Sequence, residues 1–170
     1  MSVQPEDRAS PRETGKMRAL DKIDRKILDV LQQDGRITMT ELAERIGLST
    51  TPIAERVKRL EREKVITGYY ARVDPKALGL NLLVFVEIRL TSKSGEIFDQ
   101  VKRALEWMPE VMECHLVSGD YDYLIKARIT EMADYRRLLG QVLNRLPAAA
   151  ESRSYVVMEE LKETLYLPTA

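Results

Sequence analysis

The chain has 170 residues, 44% hydrophobic and 32% charged, which fits one large or two small globular domains with a charged surface and excludes a disordered polymer. Lys+Arg and Asp+Glu number 27 each, so there is no whole-chain basic field for nucleic acid and any basic patch is local. One cysteine, Cys114, and one histidine, His115, exclude an intrachain disulfide and a multi-His or Cys-only metal centre, and no cofactor or metal is expected.

Residues 1–17 are polar, with Pro5, Pro11 and Gly15, and read as a disordered tail without signal-peptide character. A helical pattern begins at Leu20. Asp21 is its expected N-cap with Asp24 in the first turn, and Ile23, Ile27, Val30 and Leu31 form its apolar stripe. Asp34-Gly35 ends it. Thr38 and Glu41 form a capping box for a short helix carrying Leu42, Ala43 and Ile46, and Gly47 stops that helix in the left-handed region. Ser49-Thr50-Thr51-Pro52 opens a third helix with an inward stripe of Ile53, Val57 and Leu60. Thr67 to Val73 is expected to be a short strand, broken by Asp74-Pro75.

The remainder alternates strand and helix. Val84, Val86, Ile88 and Leu90 share one strand face; Ile97, Val101 and Leu105 share one helix face. Strands are expected around Met112 to Leu116 and Tyr121 to Ile129. A helix through Met132, Tyr135, Leu138, Leu139, Val142 and Leu146 and a last strand over 152–158 complete β-α-β-β-α-β, the ferredoxin-like order. The fold class is α+β. Its domains are a tail at 1–17, a helix-turn-helix (winged-helix-like) domain at 18–73, a hinge at 74–81, a ferredoxin-like domain at 82–160 and an extension at 161–170. The longest apolar run, Leu82 to Val86, is far below the roughly 18 residues of a spanning helix. A soluble cytoplasmic protein with no membrane partner is expected.

Two constellations carry chemistry. In the first, the turn Gly47-Leu48-Ser49, with the small Ala43 where helices cross, has helix-turn-helix geometry. Thr51, Glu55, Lys58, Arg59 and Arg62 are expected to point outward, and Arg56 and Arg59 have the donor fork that reads guanine or clamps phosphate. An ordinary solvated bundle face is the competing reading, and charged residues there do not exclude it alone; the tight turn, Ala43, Gly47 and the five basic residues from 56 to 64 together favour double-stranded DNA. The expected DNA set is Thr38, Ser49, Thr50, Thr51, Pro52, Glu55, Arg56, Lys58, Arg59 and Arg62. In the second, Val117 to Tyr123 offers Gly119 to an anion and Asp120 or Asp122 to an ammonium group, which suits a free amino acid; taken alone, it is better explained by a plain hairpin turn. Leu83 and Phe85 lie on the sheet face that no helix covers, so a dimer through that face is expected. No Walker loop, GxGxxG or catalytic triad is present, and the chain is not expected to be an enzyme.

Leu20-Asp21-Lys22-Ile23-Asp24-Arg25, Gly35-Arg36-Ile37, Glu55 to Glu61, Leu83 to Ile88, Glu113 to Tyr123 and Tyr155 to Glu160 resemble the Lrp/AsnC, or feast/famine, family of bacterial and archaeal transcriptional regulators. The likeness is collinear from about Leu20 to Pro168 and strongest to leucine- and alanine-responsive members. It implies a nucleoid-associated regulator of amino-acid metabolism whose dimers join into octamers or similar assemblies. It also implies an effector held between dimers near Leu116, Gly119, Asp120, Tyr121 and Asp122, with Met132, Tyr155, Val156 and Val157 as further candidates. The apolar Leu116, Met132 and Val156, with no cation evident among them, favour a neutral amino acid; the resemblance narrows it to leucine or alanine, with methionine possible. The chain departs from the family pattern at Ile53, where cysteine is frequent, and at Ala148-Ala149-Ala150. Two other functions fit the elements: an amino-acid-binding metabolic subunit that does not bind DNA, and an architectural DNA-binding protein with no effector.

Overall fold

A computed structural model describes residues 19–146 and 149–169, so the tail expected at 1–17 and Ala148 lie outside the described residues. The chain divides into two compact units. One takes residues up to 71 together with 164–169, the other Arg72–Glu163. The stretch 161–170 is thus divided between the units.

In the first unit, α1 (Lys22–Gln33), α2 (Met39–Ile46) and α3 (Thr50–Arg62) follow one another closely. The first two start on complete capping boxes. Asp21 accepts from the Ile23 and Asp24 N–H groups while Asp24 accepts from Asp21 N–H; Thr38 and Glu41 do the same for α2. Each box pairs N–H groups that have no partner inside the helix. Gly47, at φ 82°, closes α2 without the penalty a Cβ would bring. Ile27, Leu31, Ile37, Leu42, Ala43, Ile53, Val57 and Leu60 form the core, and the 2% exposure of Ala43 shows how tightly α2 is packed. Ile53 is fully buried, so its departure from the family pattern bears on packing.

The strand expected at Thr67 to Val73 does not form. Its residues have strand propensity, but no described strand of this unit offers a ladder partner, and propensity without pairing makes no sheet. Tyr69 instead donates its hydroxyl to Glu61 at 3.0 Å and lays its ring against Gly35, where a Cβ would come within 3.3 Å of the ring. Residues 164–169 dock on α1. The Gln32 side-chain amide pairs with the Leu167 backbone in both directions, at 2.7 and 2.9 Å. Tyr166 donates its hydroxyl to Asp29, and Arg25 donates to the Thr169 carbonyl at 3.2 Å.

The second unit opens with a 3-10 turn, Pro75–Leu78, capped by Asp74. There follow β1 (Leu82–Leu90), α4 (Gly95–Glu106), β2 (Val111–Leu116), β3 (Tyr123–Ile129), α5 (Met132–Arg145) and β4 (Ala149–Val156). The sheet is antiparallel throughout, in the order β2-β3-β1-β4. Val84, Val86, Ile88 and Leu90 with Ile125 and Ala127 bury one face under Val101, Leu105, Leu138 and Val142 of the helices. No helix among the described residues is long and apolar enough to cross a membrane.

The opposite face is not the bare apolar surface expected. Leu83 is already 6% exposed within one chain, and Phe85 is half-buried. Glu87, Arg89, Lys126, Arg128 and Arg153 share that face by register. The reason lies beyond β4. The Val157 N–H donates to the Leu83 carbonyl, Glu160 accepts two hydrogen bonds from Arg128 at 3.0 and 2.6 Å, and Glu163 accepts from Lys126 at 3.1 Å.

Candidate DNA and effector sites

Helix α3 sorts its side chains into three groups rather than two. Ile53, Val57 and Leu60 are buried, while Thr51, Glu55, Lys58 and Arg62 are exposed. Arg56 and Arg59 form the third group. Arg59 was expected to point outward, but its side chain is 15% exposed and its guanidinium lies 2.5 Å from Asp24. Arg56 donates to Asp24 at 2.8 Å and to Asp21 at 2.6 Å. The cause is helix angle: residues 56 and 59 sit on the edge between the core stripe and the solvent face, where the start of α1 places two carboxylates. The same groups perturb one another. The Asp24 N–H and Arg56 hold the Asp21 carboxyl at about 2. Burial pulls the Asp24 carboxyl up, but hydrogen bonds from Arg59 and Arg56 outweigh it and hold Asp24 below the usual carboxylate range.

The N-terminal end of α3 is open. Ser49 is its N-cap by backbone conformation, yet its side chain makes no capping hydrogen bond. Thr50 and Thr51 are exposed beside it. Pro52 lines a shallow cleft of about 330 Å³ with Glu55, Arg56 and Arg59. Thr38 stands differently from the rest of the expected set, because its hydroxyl is already bonded to Glu41 within the α2 cap.

In the second unit the loop between β2 and β3 is tied down at its base. Val117 N–H donates to the Asp122 carbonyl and Asp122 N–H to the Ile88 carbonyl, both at 2.9 Å. Gly119, at φ 133°, and Asp120 are exposed at the tip, and a Cβ at Gly119 would meet no atom within 4 Å. Asp122 does not stand open to a ligand. It is 6% exposed, and its oxygens accept from Leu90 N–H at 2.8 Å and lie 2.7 Å from Lys93 Nζ. Burial raises its carboxyl pKa, but those two partners more than offset it and the group is held low.

Three cations that lie outside the expected effector set stand here. Arg89 donates to the Asp120 carbonyl at 2.8 Å and pairs with Glu151 at 3.2 Å, and Lys93 is taken by Asp122. The Arg89 and Arg153 guanidinium groups each lie 5.3 Å from the centre of the Tyr121 ring. Strand alternation was the available signal: Arg89 shares the face of Phe85 and Glu87, and Arg153 pairs in register with Glu87.

One chain does not bring the expected effector residues together. The Gly119 loop is fastened beside Ile88 to Leu90, whereas Tyr155 and Val156 pair with Phe85 and Val84. Four strand residues separate these levels, about 13 Å along β1. Leu116, Met132, Tyr155 and Val156 are all substantially exposed, and Val157 is half-buried. Among the described residues no group of His, Cys, Asp and Glu is arranged to hold a metal ion.

Known proteins match both units. Residues 83–167 match the Lrp/AsnC ligand binding domain, and residues 20–67 match a winged helix-turn-helix DNA-binding domain. The leucine-responsive regulatory proteins of Escherichia coli (strain K12) and Salmonella typhimurium are each 53% identical over 145 residues, covering 85% of this chain and 88% of theirs. A transcriptional regulator of Neisseria meningitidis, solved as an L-Met complex, superposes with a TM-score of 0.82 at 33% identity, covering 88% of this chain and 97% of that one. An AsnC family transcriptional regulator of Agrobacterium tumefaciens does so with a TM-score of 0.83 at 34% identity and the same coverage.

Proposed function

The chain belongs to the Lrp/AsnC family of DNA-binding transcriptional regulators, and from that premise we propose that it controls genes of amino-acid metabolism in response to a small neutral amino acid, leucine or alanine, with methionine the third candidate. The DNA half rests on the exposed face of α3: Thr51, Glu55, Lys58 and Arg62 beside an N-terminus that the Ser49 side chain leaves uncapped. Unbonded N–H groups at that end, with the helix dipole behind them, suit a phosphate oxygen, and Lys58 and Arg62 suit the groove and backbone.

The effector half is supported by the 53% identity to leucine-responsive regulators and by the L-Met complex of the N. meningitidis relative. Gly119 meets the effector carboxylate. Asp120, exposed at the tip, accepts from the ammonium group, since Asp122 already serves Leu90 and Lys93. A neutral side chain fits because Arg89 and Lys93 are matched by Glu151 and Asp122, and Arg153 lies against the Tyr121 ring. The levels of Gly119 and of Tyr155 to Val157, separated along β1, meet across copies of a homodimer that assembles further. Phe85 is the dimer contact, because Leu83 is already buried in its own chain.

Titration calorimetry with leucine, alanine and methionine tests this directly, paired with sedimentation velocity on the same samples. Binding of leucine or alanine with a change in assembly is expected. If neither amino acid binds, the effector assignment fails; if the chain sediments as a monomer at all concentrations, the shared site fails.

A further inference from the structure

Five basic residues lie between Arg56 and Lys64. A segment that presented all of them to a duplex would bind any sequence through its phosphates, because each phosphate neutralised releases counterions regardless of the bases. Two of the five are withheld. Asp24 is fully buried, Arg59 and Arg56 both donate to its Oδ1, at 2.5 and 2.8 Å, and its Oδ2 accepts from Asp21 N–H at 3.2 Å. Asp21 Oδ2 accepts from Arg56 at 2.6 Å, and its Oδ1 accepts from the N–H groups of Ile23 and Asp24. Two carboxylates and two guanidiniums thus form one neutral cluster with every carboxylate oxygen occupied.

Capping α1 does not require this arrangement. The N3 partner of a capping box works as well in water as buried, and it needs no cation from another helix. A buried carboxylate facing two arginines from a helix that the chain reaches some thirty residues later is a separate feature.

We infer that Asp24, assisted by Asp21, is a specificity-setting and positioning residue: it holds Arg56 and Arg59 off the phosphate backbone, so that α3 meets DNA through Lys58 and Arg62, and it fixes α3 against the start of α1. This rests on the DNA-binding reading above. The consequence is weak binding to arbitrary sequence, which leaves base contacts a larger share of total affinity.

The test is the slope of log K against log salt concentration for the full chain on a fluorescein-labelled duplex of random sequence, read by anisotropy. Lys58→Gln removes a phosphate contact and lowers the slope by about 0.9. Arg56→Gln and Arg59→Gln leave the slope unchanged. Asp24→Asn frees Arg59 and leaves Arg56 held by Asp21 alone, tightens low-salt binding and steepens the slope by about 0.9, and the double variant with Asp21→Asn steepens it by up to about 1.8. Asp21→Asn keeps a good cap residue and steepens it less, and it decides the matter if Asp24→Asn does not fold. A slope that falls in Arg56→Gln and Arg59→Gln as it does in Lys58→Gln overturns the inference, because the arginines then contact phosphate. A slope unchanged in both aspartate variants with only a lowered melting temperature also overturns it, because the cluster is then merely structural. Failure of the parent chain to bind any duplex at low salt is a different result: it sinks the DNA-binding reading itself.

Discussion

In the helix-turn-helix unit the buried charge, Asp24, lies between helices at a site as buried as Ile27 or Leu60, whereas the buried charges of the sheet unit, Asp122 and Arg128, are engaged by Leu90 and Lys93 and by Glu160 outside the apolar core. Among the described residues eight buried hydrophobics make the first core and fourteen the second. A core that small gives limited apolar stabilisation, so the Asp24 cluster acts as a fastener between α1 and α3. The Glu113-Lys126-Glu163 and Arg128-Glu160 pairs lie instead on the helix-free face of a sheet whose other side is fully packed. Buried ion pairs thus join helix to helix in one unit and tie a loop and the segment after β4 to the sheet in the other, and because each unit has its own core the two are separately breakable.

Asp24→Ala should have the largest effect. It leaves Arg59 and Arg56 without their shared partner and costs about 4 kcal/mol. Amide exchange should lose protection through α1, α2 and α3 while β1 and β3 keep theirs; equal loss in both units would break the comparison. The converse change, Ile125→Ala, empties a fully buried site in the sheet core and should cost about 3 kcal/mol there. Urea unfolding followed separately in each unit should then show the sheet transition move and the helical one stay. Asp122→Ala should cost about 2 kcal/mol, again in the sheet unit, by orphaning the Leu90 N–H. If calorimetry shows effector binding abolished with no loss of sheet stability, Asp122 is a ligand after all.

Acid should sharpen the contrast further. Asp21 falls from its ordinary 3.8 to about 2 on folding, and Asp24 is lowered too. A depressed folded pKa gives stability that is present above the unfolded value and is lost as pH falls through the folded one. Thermal melts of the helical unit should therefore fall between about pH 4 and pH 2, and Asp21→Asn should flatten that fall. Tyr166→Phe should have the smallest effect, a slight rise in exchange confined to α1, since it removes one exposed hydrogen bond to Asp29.

Local chemistry made much of this legible in the sequence. The Thr38/Glu41 box, the Gly47 stop and the alternation from Val84 to Leu90 each depend on residues a few positions apart, and each stands as expected. What the sequence hid depends on distant residues. Nothing near Arg59 announces that Asp24, thirty-five positions away, takes its guanidinium. Asp120 and Asp122 look equivalent as letters, and only the approach of Leu90 and Lys93 separates an open carboxylate from an engaged one. The stretch from Thr67 to Val73 has strand-like composition but no neighbour to pair with.

The docking of residues 164–169 on α1 gives the first unit an unusual order of manufacture. Helices α1 to α3 are made early in the chain. The segment that clasps Arg25, Asp29 and Gln32 follows the whole sheet unit in the chain. During synthesis the DNA-binding unit therefore exists first without its clasp and receives it only after β4 has been translated. A nascent or prematurely ended chain carries the helices but not the closure, so the finished DNA-binding unit is a product of both sides of the sequence.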